Sequence, residues 1–195
     1  MNYRLGKGTV IFSVVFIMLC ILVPAMGESY SAETMRLLRY DGSVEILDTS
    51  GSPRFVMENV RFSSGEAMRT GEDSSASVSL DSTKIVTLDA NSSVTFEKEG
   101  NHIELTLTEG TLFLDVSEKL DVNESLDIKT STMTVGIRGT ITVVSVMPTN
   151  KLENVYGLKA ENAERANEQV TVFGVLEGSA DVTYRNGQTA TVDAG

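Results

Sequence analysis

The chain has 195 residues, 41% hydrophobic, 6% aromatic and 22% charged, and its 16 basic against 27 acidic residues leave a formal charge of −11. This is a globular composition, and the excess of acid excludes nucleic acid as a partner because a phosphate backbone would be repelled. Cys20 is the single cysteine and there is no tryptophan, so a disulfide framework and a multi-thiolate metal site are both excluded.

The N-terminus has the three parts of a secretory leader: basic Arg4 and Lys7, the apolar run Val10 to Val23 interrupted only by Ser13, and Pro24 followed by Ala25-Met26-Gly27. Cleavage is expected after Gly27, where Ala25 and Gly27 offer small side chains. The alternative is an uncleaved N-terminal anchor, since Thr9 to Met26 gives 18 residues against the roughly 20 of a spanning helix. Leu19 stands before Cys20 where a lipid-attachment signal carries a small residue, so lipidation is not expected. Without the leader, 14 cations face 27 acids for a charge of −13, and the remainder suits one domain, from about residue 34 to 195.

From residue 35 onward, apolar and polar residues alternate as in strands with one buried face. Ala76, Val78 and Leu80 are followed by Val86 and Leu88. Ile103, Leu105 and Leu107 lead through Glu109-Gly110 to Leu112, Leu114 and Val116, a pattern that predicts a hairpin, with Ser77, Ser79, Thr87 and Thr106 facing outward. Residues 151–169 break the alternation; Ala160, Ala163 and Ala166 at helical spacing suggest a short exposed helix or a polar loop between two neighbouring strands, one ending near Met147 and one restarting at Val170. Asn186-Gly187, between Ala180, Val182, Tyr184 and Ala190, Val192, predicts a two-residue hairpin with positive φ angles. An acid-Gly-hydroxyl triplet also recurs, as Asp41-Gly42-Ser43, Glu109-Gly110-Thr111 and Glu177-Gly178-Ser179; it reads as repeated hairpin chemistry rather than tandem duplication. The predicted fold is all-β, a single domain of mostly antiparallel strands in a sandwich or jelly roll, with a compact β-helix as the alternative.

Candidate chemistry is thin. His102 is the lone histidine and reads as part of a solvated turn, with no nucleophile beside it in sequence. An envelope glycoside hydrolase would need a carboxylate pair, Glu97 with Glu99 or Asp115 with Glu118, converging in an aromatic-lined cleft at about 5 to 10 Å. No calcium loop or phosphate loop is present, and the sequons at Asn91 and Asn123 matter only on a eukaryotic secretory route. No catalytic, cofactor-binding or metal-ligating residue is assigned. The stretch that stands out is Gly136-Ile137-Arg138-Gly139-Thr140, two glycines flanking Ile-Arg inside a β-prone run. It predicts a bend or bulge that places Arg138 at a corner, where its donors clamp neighbouring carbonyls or a carboxylate; a ligand-binding arginine is the alternative.

This Gly136-Ile137-Arg138-Gly139-Thr140 core, preceded by Asp127-Ile128-Lys129-Thr130, resembles the Gly-Val-Arg-Gly-Thr signature of FecR-type domains. The ending Val175-Leu176-Glu177-Gly178-Ser179-Ala180-Asp181-Val182, with Gly187 and Val192-Asp193-Ala194-Gly195, is similar to the family's, as is Gly71 followed by Ala76-Ser77-Val78-Ser79-Leu80 and Ile85 to Leu88. Thr142 departs from the pattern, which often has a large apolar residue there. Family members usually continue beyond the equivalent of Gly195, so the resemblance implies a longer native chain. It also implies an exported domain of a single-span signalling regulator, in which a cytoplasmic segment controls a sigma factor. Only about nine residues precede the apolar run, so direct sigma control is not expected here. The expected function is a non-enzymatic extracytoplasmic module, periplasmic, cell-surface or secreted, that binds another envelope protein or a polysaccharide. It would touch the membrane only through an uncleaved N-terminal segment, in which case it would be a membrane-anchored regulator.

Overall fold

The structure is a computed structural model that describes residues 35–152 and 168–195. The leader expected at 1–27 lies outside the described residues, as does most of the polar excursion at 151–169. Among the described residues fourteen strands form one continuous hydrogen-bonded sheet folded into two layers. The first layer runs, in spatial order, β1 (Arg36–Asp41), β5 (Ser75–Ser79), β6 (Lys84–Leu88), the C-terminal half of β8 (His102–Val116), β11 (Ile141–Pro148) and β12 (Gln169–Glu177). The second runs β14 (Thr189–Asp193), β13 (Ser179–Tyr184), β10 (Met133–Ile137), β9 (Ser125–Lys129), the N-terminal half of β8, β7 (Ser93–Glu99), β4 (Glu66–Thr70), β2 (Val44–Leu47) and β3 (Pro53–Arg54). The β8–β9 ladder is parallel and the others are antiparallel. This is the antiparallel layered reading, not the compact β-helix.

The period-two pattern sorts the two faces of each strand, because successive side chains point to opposite sides. Val78, Val86, Leu88, Leu112, Leu114, Val144 and Val146 from the first layer meet Val94, Phe96, Leu105, Leu107, Leu126, Ile128, Val135 and Val182 from the second in one buried cluster. At about 25 cal/mol per Å² of apolar surface removed from water, this shared interior is the main driving force, and neither layer could bury its inner face alone. Thr142, the departure from the apolar pattern, is fully buried, and its hydroxyl is paired with that of Thr140 at 2.6 Å.

Two turn predictions need correction. Glu109-Gly110 does not reverse the chain: β8 continues from His102 to Val116, pairing with β7 and β9 before Gly110 and with β6 and β11 after it. Gly110 has φ of 84° and a Cβ there would lie 2.5 Å from Asn91 O, so a corner this tight requires glycine. The other two acid-Gly-hydroxyl triplets behave alike, carrying the chain from β1 to β2 and from β12 to β13, again between layers. The triplet is therefore a corner signal rather than a hairpin signal. The Asn186-Gly187 hairpin joins β13 and β14 as predicted, but only Gly187 has positive φ, 82°. Gly187 N donates to Tyr184 O and Tyr184 N to Gln188 O, which is the longer loop of a turn followed by a glycine bulge.

The excursion does separate neighbouring strands: Met147 of β11 is registered opposite Val170 of β12.

Candidate functional site

The Gly136–Thr140 segment links β10 in one layer to β11 in the other. Val135 and Ile137 face the interior, so Gly136 and Arg138 face out. Gly136 is registered between Asp127 of β9 and Asp181 of β13, and a Cβ added to it would sit 3.3 Å from Asp127 Oδ1. Asp181 lies opposite Gly136, two residues before Arg138, so the guanidinium reaches back diagonally past a position with no side chain. Arg138 Nε donates to Asp181 Oδ2 at 2.6 Å and Nη2 pairs with the same oxygen. Asp181 Oδ1 accepts from Thr191 Oγ1 of β14 at 2.8 Å. The Thr191 hydroxyl first, and the Arg138 guanidinium second, hold the Asp181 carboxyl below its ordinary pKa.

Gly139 occupies the turn itself with φ of 95°, and a Cβ there would come within 2.9 Å of Lys119 Cα. A Cβ on Gly178 would lie 2.6 Å from Gly139 O, so the two corners stack backbone against backbone. Thr140 is buried, and its carbonyl accepts from Val116 N at 3.2 Å. The five predicted residues thus divide: Gly136, Ile137, Gly139 and Thr140 are packed into the corner, and Arg138 is solvent-exposed with a carboxylate partner. Sequence reading placed Arg138 at the corner but could not name Asp181. The available signal was its outward parity in β13 between Ala180 and Val182.

The structure brings Ser125 and Asp127 to His102, which the sequence left without a partner. His102 is registered beside Ser125 and Glu104 beside Asp127 along the parallel β8–β9 pair. His102 Nδ1 lies 2.6 Å from Ser125 Oγ and 3.8 Å from Asp127 Oδ2. Burial lifts the Asp127 carboxyl above its ordinary pKa, against the opposing pull of His102, and the Glu104 charge lifts it further. A proton relay needs hydroxyl and carboxylate on opposite ring nitrogens; here both approach Nδ1, the hydroxyl within hydrogen-bond distance and the carboxylate beyond it, which is not the arrangement of a relay.

Glu97 and Glu99 project from β7 beside a shallow pocket of about 200 Å³ with Ser64, Gly65, Lys98 and His102, without an aromatic side chain. Asp115 is on the outer face of β8, while the exposed Glu118 lies beyond the strand end. Neither pair forms the aromatic-lined cleft that a glycoside hydrolase reading requires.

A clamp the sequence did not signal lies at the other end of β8. The side chain of Lys84 is 5% exposed, and its Nζ pairs with Asp81 Oδ2 at 2.8 Å and Glu124 Oε2 at 3.5 Å. Burial disfavours the Lys84 charge, but the Asp81 hydrogen bond and the two carboxylates outweigh it, so its pKa is raised. Burial likewise lifts Asp81, and the bonds from Lys84 and the Thr83 backbone outweigh it, so its pKa is lowered.

No curated protein matches the chain. Two crystal structures of a protein from Parabacteroides distasonis, provisionally assigned as an anti-sigma factor and determined at 2.50 and 1.65 Å resolution, are similar at 15% identity with a TM-score of 0.48. The match covers 66% of this chain and 51% of theirs, so the chain spans about half the length of those structures. The family model described as FecR protein matches residues 66–181, from the first residue of β4 to the carboxylate that holds Arg138. With more than half of its length matched around that corner, the chain belongs to the FecR protein family.

Proposed function

We propose that this chain is a non-enzymatic, extracytoplasmic regulator of the FecR type whose β domain docks another envelope protein. The family match over residues 66–181 carries the reading. The site chemistry agrees with it: the serine, histidine and carboxylate that meet on β8 and β9 share one ring nitrogen, and the motif arginine is engaged by Asp181. Export rests on the leader at residues 1–27, with retention of that segment as an anchor the variant reading.

The experiment is made in the producing bacterium. Deleting the gene should alter the transcripts of a restricted gene set, and photo-crosslinking of the full chain should trap one envelope protein. Unchanged transcripts, or release of sugar reducing ends from envelope glycan by the purified chain, would overturn the reading. N-terminal sequencing of the exported protein that begins at Glu28 would place cleavage after Gly27.

A further inference from the structure

The outer face of the first layer, away from the core, carries an ordered row of charge. The registers align Arg36 of β1, Ser79 of β5, Ile85 of β6, Asp115 of β8, Ile141 of β11 and Glu177 of β12 across six strands. Arg61 extends the row by pairing opposite Arg36 in an isolated antiparallel bridge. The next row begins with Arg39, Ser77, Thr87 and Phe113. The positive end therefore lies along β1 and the negative end along β8 and β12.

Between the two ends is a groove of about 430 Å³. Its floor is made of the small side chains of Ser77 and Thr87, hydrogen-bonded at 3.1 Å, and its walls are Leu38, Ile85, Phe113 and Ile141, with Arg39 on the β1 side and the Asp115 carboxylate on the β8 side. Phe113 is 43% exposed and Ile85 40%. Ile85 and Phe113 stand on the outer side of strands whose inner side already feeds the core, so among the described residues neither belongs to the buried cluster.

The arginines point to the occupant. Among the described residues none of Arg36, Arg39 and Arg61 has a carboxylate partner; Arg39 Nε reaches only Ser77 Oγ, at 3.4 Å. Arg36 and Arg61 are directly opposite, and like charges in that arrangement are unfavourable without an anion between them. In a chain of charge −11, three unmatched cations beside an apolar groove form a local site for anionic groups.

We infer that this groove docks an extended acidic segment of a partner protein, its carboxylates held by Arg36, Arg39 and Arg61 and its apolar side chains seated over Ile85 and Phe113. The inference rests on the regulator reading for the existence of a protein partner and adds where that partner binds and by what chemistry. Guanidinium forks suit carboxylates, and the apolar walls supply the desolvated centre that such contacts need.

The test is selection of a random dodecapeptide phage library on the purified full chain, with affinities of the enriched synthetic peptides measured by fluorescence anisotropy. Enriched peptides should alternate apolar residues with Asp or Glu. Their Kd should rise about tenfold or more for the Arg39→Glu/Arg61→Glu variant and for Phe113→Asp, the scale of losing a central contact or reversing a charge pair. Arg39 and Arg61 are exposed, so the double variant should keep the wild-type thermal midpoint and carries the test if Phe113→Asp, within a central strand, lowers it; peptides with Lys in place of Asp or Glu should bind the charge-reversed variant. Enrichment without acidic residues, affinities indifferent to these substitutions, no enrichment at all, or a dimer of the chain abolished by Phe113→Asp would each overturn the inference. Because the selection has no transcriptional readout, its failure leaves the regulator reading standing, and unchanged transcripts in the deletion strain would leave a positive groove result standing.

Discussion

Arg138 and Lys84 each tie distant parts of the chain through carboxylates, yet they sit in opposite surroundings. The Arg138 side chain is 66% exposed against Asp181, whereas Lys84 is 5% exposed between Asp81 and Glu124. The first belongs to the segment that identifies the family, and the second to no motif at all. Water screens the first pair and competes for its hydrogen bonds; the second has little water to return to if a partner is removed. Visibility in sequence and weight in stability are therefore separate properties here.

The sharpest way to break this comparison is Lys84→Met. It leaves Asp81 and Glu124 facing each other without a cation, and we expect a loss of about 3 kcal/mol, at the low end for buried pairs because Glu124 is partly exposed. Urea unfolding of the variant beside wild type measures it; a loss no larger than that of Arg138→Ala would show that burial does not separate the two clamps. Next in size is Gly139→Ala, which forces a positive φ on a residue with a Cβ and drives that Cβ toward the Lys119 backbone. A loss of about 2 kcal/mol is expected, read as a fall in the urea midpoint at unchanged m-value. A wild-type midpoint would mean that the corner opens freely and that the motif glycine has no packing role.

Acid titration sharpens the contrast further, through two aspartates of opposite sign. The Asp81 pKa is lowered in the folded protein, so its contribution is present above its unfolded pKa and is lost as pH falls through the lower, folded value. The stability gap between wild type and Asp81→Asn should be level through neutral pH and close only in acid. Asp127 has a raised pKa, chiefly from burial. Its ionisation opposes folding at neutral pH, and the penalty fades as pH falls from the raised folded value toward the unfolded one. Asp127→Asn should accordingly be at least as stable as wild type at pH 7 and converge on it in acid; a variant less stable at pH 7 would show that the His102 contact outweighs burial.

The smallest expected effect is that of Arg138→Ala on stability: a urea midpoint indistinguishable from wild type. If the midpoint holds while crosslinking to the envelope partner is lost, Arg138 belongs to a recognition surface. If the midpoint falls as far as for Lys84→Met, the exposed clamp is a principal tie of the fold.

Much of the molecule was legible from local pattern. Alternation alone assigns Val78, Leu105, Leu114 and Val182 to the interior, because a side-chain period of two holds in any strand whatever its partners. The Gly136–Thr140 segment announced a corner because glycine spacing in a β-prone run limits what the backbone can do. Partners across the sheet were not legible. Asp181 lies 43 residues from Arg138, and Glu124 lies 40 residues from Lys84, and nothing near either cation in sequence points to them.

Gly110 marks the boundary between the two kinds of information. Its positive φ is a local property, and the acid-Gly-hydroxyl triplet was enough to locate it. Whether such a residue reverses the chain or carries it onward depends on which strands pair on either side. Residues 102–109 found β7 and β9, residues 110–116 found β6 and β11, and Thr108 became the extra residue of a bulge opposite Ser93 and Val94. Sequence by itself determined where the backbone would bend and which side chains would face inward, since both follow from the sterics and period of a single strand. Tertiary structure alone decided that the bend would be a corner between layers, because the hydrogen-bonding edges that complete each half of β8 come from segments remote in the chain.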